Sequence, residues 1–231
     1  MEIKKIVLMV CLIVIYTTHT YSQTIDKPSF ALKSPETLEI SKVEITAQNT
    51  LIYLSVENKR DEGGSFCADK RIYIIYPDGS RLNLTRAHNI PVCPDTYNFK
   101  NIGEKLQFTL EFPPLKPQTK WFDIIEDCTS NCFWFYGVTL DIALNTRLDE
   151  IFALASKGQP AGNIILFKNI LDDIDSLNLG VEGSLYINII NAAAENRDNV
   201  STAVWYKRMA ASHAPRLSQY LKYVNDMGIK Y

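Results

Sequence analysis

Leu106, Phe108, Leu110 and Phe112 alternate with Gln107, Thr109 and Glu111, the period-two pattern of a strand with one buried face. Pro113, Pro114 and Pro117 stop that strand. The next stretch, WFDIIEDCTSNCFWFYGVTL from Trp121 to Leu140, reads as two apolar strands pinched together by Cys128 and Cys132. Phe133, Trp134, Phe135, Tyr136, Val138 and Leu140 load both faces of the second strand, so it belongs inside a sheet and is covered on both sides, with Trp121 and Trp134 largely buried.

The same reading extends upstream. Structure is expected to begin at Leu38, in a strand through Ile40, Val43 and Ile45 whose apolar parity changes around Ser41 and Lys42, the mark of a bulge or bend. Leu51 to Val56 follows, with Ile52, Leu54 and Val56 on one face. Ile72 to Tyr76 and the return through Leu82 and Leu84 flank Pro77-Asp78-Gly79, a hairpin signal. Asn58 to Asp69 and Arg86 to Tyr97 read as loops, and residues 23–35, with Pro28 and Pro35, as an extended lead-in without a core pattern. About seven short strands at this spacing predict an antiparallel sandwich over residues 36–141.

Beyond Asp141 alternation gives way to helical periodicity, predicting an all-helical region over residues 146–231, a bundle or short helical repeat. Helices are expected near Thr146–Lys157, Gly162–Asp175, Val181–Glu195, Val200–Ser212 and Pro215–Met227, with Pro215 in the first turn of the last. At an offset of 38 residues, Leu148, Ile151, Phe152 and Ala155 fall on Tyr186, Ile189, Ile190 and Ala193, and Phe167 and Leu171 on Trp205 and Met209. The fold class is thus β then α.

The runs LQFTLEFPPL, WFDIIED and FWFYGVTL resemble the immunoglobulin-like sandwich domain of exported Bacteroidetes proteins, over about residues 37–141. Such domains have a strand leading into Phe-x-Pro-Leu, a Phe-Asp-[Leu/Ile]-Ile-Glu strand and an aromatic-Tyr-Gly-Ile strand. The resemblance implies a fold and brings no catalytic residues. Members often carry a thioredoxin-like domain behind the sandwich, and this chain has no Cys-x-x-Cys to match it. The segment SLYINIINAAAENRDNVSTAVWYKRMA is similar, more weakly, to a tetratricopeptide unit, although 38 residues exceeds that family's usual repeat length.

Residues 1–22 have the layout of an export signal: Lys4 and Lys5, an apolar run from Ile6 to Tyr16, then a polar tail ending at Ser22. The run is too short for a stable transmembrane anchor, so the chain is expected to be exported, to the periplasm, the outer envelope or the medium. Its removal leaves 209 of the 231 residues and takes Lys plus Arg from 24 to 22 and Asp plus Glu from 26 to 25, a formal charge of −3. Without a basic cluster this excludes a nucleic-acid partner.

Four cysteines remain, Cys67, Cys93, Cys128 and Cys132, and four allow three pairings. A hairpin turn favours Cys128 with Cys132, leaving Cys67 with Cys93. A redox pair at Cys128 and Cys132, or zinc held by the loop cysteines and His88, is the weaker alternative, because that spacing is not the one that lowers a thiol pKa and export favours bridging. Loop carboxylates, Asp123, Glu126 and Asp127 in one cluster and Asp61, Glu62 and Asp69 in another, lack calcium-loop spacing. His88 and His213 serve no nucleophile motif. No catalytic, cofactor or metal site is therefore expected. Trp205, Tyr206, Arg208, Tyr220 and Tyr223 give the last helices an aromatic and basic character suited to a protein or peptide partner. The expected function is non-catalytic binding or scaffolding in the cell envelope. A redox or metal-dependent accessory enzyme and a glycan-binding sandwich are the alternatives, the last requiring Trp121 or Trp134 exposed on a flat face.

Overall fold

The computed structural model describes residues 22–61 and 63–230. The export-signal reading, except for Ser22, and Glu62 lie outside the described residues. Among the described residues the β half has twelve strands: β1 (Gln23–Asp26), β2 (Leu32–Ser34), β3 (Leu38–Ile45), β4 (Thr50–Glu57), β5 (Ser65–Phe66), β6 (Ile72–Ile75), β7 (Arg81–Asn83), β8 (Arg86–His88), β9 (Tyr97–Asn98), β10 (Lys105–Phe112), β11 (Trp121–Glu126) and β12 (Trp134–Thr139). They form a first sheet in the order β1-β3-β4-β10-β8, a second in the order β2-β12-β11-β6-β7, and a β5-β9 ribbon. Every pairing between these strands is antiparallel.

The alternation does what its period requires. Leu106, Phe108, Leu110 and Phe112 of β10 join Ile52, Leu54 and Val56 of β4 and Ile72, Ile74, Ile124 and Phe135 of the second sheet in one apolar core. The parity change in β3 is a register shift between Ile40 and Lys42, as the sequence suggests. The stretch read as a coreless lead-in is different. β1 pairs with β3 and buries Ile25, and β2 pairs with β12. Between them Lys27–Ala31 crosses from one sheet to the other, tied by the Lys27 N–H to the Ser41 carbonyl and the Ala31 N–H to the Tyr136 carbonyl. The two long loops likewise contain β5, β8 and β9.

Five helices follow: α1 (Ile142–Ala155), α2 (Pro160–Ile174), α3 (Glu182–Glu195), α4 (Asn199–Ala210) and α5 (Leu217–Asp226). Helix α1 starts four residues before the expected position because Asp141 caps it, its carboxylate accepting from the Leu144 N–H. Pro160 opens α2, and Asp198 caps α4 through the Ser201 N–H. Pro215 is not in a helical turn: Arg216, in the left-handed region at φ 63°, is the residue that turns the chain into α5. Helix α3 is apolar nearly all round and buried, with α2, α4 and α5 packed on it. In the 38-residue comparison Leu148 and Tyr186, Phe167 and Trp205, and Leu171 and Met209 are buried in both members, whereas Phe152 is exposed and Ile190 is not. Among the described residues no helix precedes α1. No helix among the described residues is long and apolar enough to cross a membrane.

The helices dock on the outer side of the second sheet. Asn145 accepts from the Ser29 N–H and donates to the Thr139 carbonyl. The Trp121 indole N–H donates to the Asn178 carbonyl at 2.8 Å, and Gly180, at φ 87°, sits so close over that ring that a Cβ there would lie 2.6 Å from it. Only glycine tolerates both conditions. Asp123, 1% exposed, is clamped by Arg216 through Nε at 2.7 Å and Nη2 at 2.6 Å. Ala31 of the crossing segment belongs to the helical core.

Candidate binding groove

Two concavities among the described residues are large enough to hold a ligand. One lies between the halves, a groove of about 660 Å³. The crossing segment, β2 and residues of β3 and β4 (Glu39, Ile40, Ser41 and Ser55) form one wall, and α1, α3 and α5 form the other through Phe152, Ile187, Asn188, Asn191 and Tyr223. The spacing explains which residues arrive: Ser184, Ile187, Asn188 and Asn191 recur at three and four residues, so they lie along one stripe of α3. β2 is the outermost strand of its sheet, so the side away from β12 has no strand partner.

The polar groups of the groove are partly matched. Asn188 Nδ2 donates to the Ser184 carbonyl one turn back at 2.8 Å. Lys33 pairs with Glu39. Asn191 Oδ1 is buried and accepts no hydrogen bond. A buried acceptor without a donor is costly.

The second concavity, about 700 Å³, lies at the end of the β half and brings all four cysteines to its walls. Cys67 is bonded to Cys93 and Cys128 to Cys132, so none of the four sulfurs is a free thiol. Among the described residues no group of three or more His, Cys, Asp or Glu side chains is placed to hold a metal ion. Instead His88 Nε2 is 2.8 Å from a Glu111 carboxylate oxygen. Glu126 faces this cleft, but its two oxygens accept the Asp69 and Phe133 N–H groups, fixing the loops on either side of the Cys128–Cys132 turn.

The buried carboxylates are structural fasteners with displaced pKa values. Burial raises Asp123 despite the Gly137 N–H and Arg216 that favour its charge. Burial likewise raises Glu126 and Glu182. Glu182 is 1% exposed; one oxygen accepts the Leu179 N–H and the other, Oε2, has no partner. Tyr186, buried and donating to Asp175, is pushed up to about 12.

The five aromatic and basic residues singled out in the sequence do not share one surface. Tyr220 is wholly buried, its ring against Gly183, where a Cβ would lie 1.9 Å away. Trp205 is buried in the helical core. Arg208 lies over the Trp205 ring at 4.9 Å and pairs with Asp172 and Asp175. Tyr206 is half-buried on the same helix, and Tyr223 alone of the five lines the groove. The groove residues of α3 escaped the sequence reading because Asn188 and Asn191 look like ordinary solvated positions. The signal available was their place three residues apart within an otherwise apolar helix.

Compared with known proteins, the chain matches no protein family, no curated protein and no solved structure.

Proposed function

We propose that this chain is an exported, non-catalytic binding protein, in which an immunoglobulin-like sandwich and a short tetratricopeptide-like helical array together hold an extended segment of another polypeptide. The two five-stranded sheets sharing one core support the first assignment, and the sequential packing of α2, α3 and α4 supports the second. The observation that carries the functional reading is the groove. It is lined by β2, whose outer side has no strand partner, by the aromatic side chains Phe30, Phe152 and Tyr223, and by the amides Asn188 and Asn191 of α3. An extended peptide can add to an open strand edge with its main chain while its side chains enter apolar pockets. The reading is non-catalytic because the buried carboxylates are tied to backbone N–H groups or to Arg216.

The test is selection of displayed random peptides on the mature chain, followed by calorimetry with Asn191→Ala and Tyr223→Ala. Selected peptides are expected to lose tenfold or more in affinity to each variant. Failure to enrich any peptide, or peptides indifferent to both substitutions, would overturn the assignment. The other reading with an observation behind it concerns the outer face of the second sheet.

A further inference from the structure

Trp134 is half-buried on the outer face of the second sheet, where it had been expected to be interior. Phe135, Ile124 and Ile74 point into the core, so their neighbours point out. The register sets five of those outward residues in one line across five strands: Ser34 opposite Trp134, Trp134 opposite Ile125, Ile125 opposite Tyr73 and Tyr73 opposite Asn83. Two residues along β11 and β12, at the next outward positions, Asp123 and Tyr136 are covered by Arg216.

The rings in this row are held rigidly. Trp134 stacks on Tyr136 with centroids 4.3 Å apart at 19°. The Arg81 guanidinium lies 4.2 Å over Tyr73. Such contacts fix aromatic side chains at low entropic cost to a ligand. The row carries no charged side chain, and its two ends are an amide and a hydroxyl.

Its size decides what it can hold. Five strands about 4.8 Å apart span about 19 Å, and one row is about 7 Å deep, an area of about 130 Å². A stable protein partner needs about 800 Å² per side, so a protein is too large an occupant for this strip. Trp134 and Tyr73 lie two strands apart, about 10 Å, close to the length of two sugar rings in an extended chain.

We propose that this row is a binding site for a neutral, linear oligosaccharide, whose ring CH faces lie against Trp134 and Tyr73 and whose hydroxyls reach Ser34 and Asn83. The row reaches β2 at Ser34, but none of its five residues lines the groove, and the proposal does not depend on the peptide reading.

The test uses the full mature chain titrated with cellohexaose, xylohexaose and mannohexaose, followed by the three tryptophan indole N–H signals in NMR. At least one hexasaccharide is expected to shift the Trp134 indole, leaving the buried Trp121 and Trp205 indoles in place. Trp134→Ala and Tyr73→Ala should each weaken binding tenfold or more, Trp134→Phe should retain most of it, and Tyr223→Ala in the groove should leave it unchanged. Three results overturn the proposal: no hexasaccharide moves the Trp134 indole at millimolar concentration, the shifts fall on Trp121 or Trp205 instead, or a folded Trp134→Ala binds as well as the parent.

Discussion

Replacing Arg216 by methionine tests how the helices are held to the sheet. The substitution keeps much of the apolar stem and removes the guanidinium, leaving the Asp123 carboxylate 1% exposed with only the Gly137 N–H as a partner. Breaking a fully buried pair costs about 3–5 kcal/mol. The Arg216 side chain is 30% exposed, so water replaces part of what is lost and about 3 kcal/mol is the reasonable figure. The loss should depend on pH with a definite sign. Asp123 already titrates above its ordinary value when folded, and losing Arg216 raises it further, so the folded variant binds a proton more tightly than the unfolded chain. The deficit relative to the parent should therefore be largest near pH 8 and smaller at pH 5, shrinking as the pH falls toward the raised folded pKa of Asp123. Urea unfolding at the two pH values measures it. Asp123→Asn added to Arg216→Met should recover most of the pH 8 loss, since the amide oxygen can still accept from Gly137. An unchanged midpoint in Arg216→Met, or a loss equal at both pH values, would refute the reasoning.

Glu182→Gln should stabilise the protein by on the order of 1 kcal/mol at pH 8 and flatten its pH dependence. The parent pays for an ionised carboxylate whose Oε2 has no partner, and with a folded pKa above the unfolded one it gains stability as pH falls toward 5. Unfolding curves across that range check the slope, and a steeper dependence in the variant would contradict it. The disulfides should differ in weight: Cys67→Ser with Cys93→Ser, opening a separation of 26 residues, should lower stability by about 3.5 kcal/mol, and Cys128→Ser with Cys132→Ser, a separation of 4, by about 2 kcal/mol. Equal losses would mean that loop closure does not set their contributions.

Patterns that a residue makes with its near neighbours were legible in the chain. The alternation of β10, the Tyr76–Gly79 turn and the parity change in β3 are local, and each appears where its period puts it. β1 and β2 were not legible, because four and three residues are too short to display a period and their partners β3 and β12 set their burial from a distance. The aromatic run of β12 hid its own parity: with both faces bulky, nothing local says that Phe133 and Phe135 point inward while Trp134 and Tyr136 point out. Tyr220 had the look of a surface residue, yet it fills the space that the missing side chain of Gly183 leaves on α3, a small-to-large match between helices 37 positions apart. The groove is a product of docking and so lay beyond any one element. Its residues come from the crossing segment, from β2, β3 and β4 and from three helices, and the interface around Trp121, Gly180 and Arg216 holds the two halves together.

The most direct test of the peptide-binding account is amide chemical-shift mapping of the mature chain with one peptide selected on it. The account predicts shifts concentrated at Leu32 and Lys33 of β2, Asn188 and Asn191 of α3 and Tyr223 of α5, with slowed exchange of the outward β2 amides as a new strand pairs with them. Shifts gathered instead around Tyr206 and Arg208 on α4, with β2 unchanged, would contradict it and move the binding surface to the outside of the helical half.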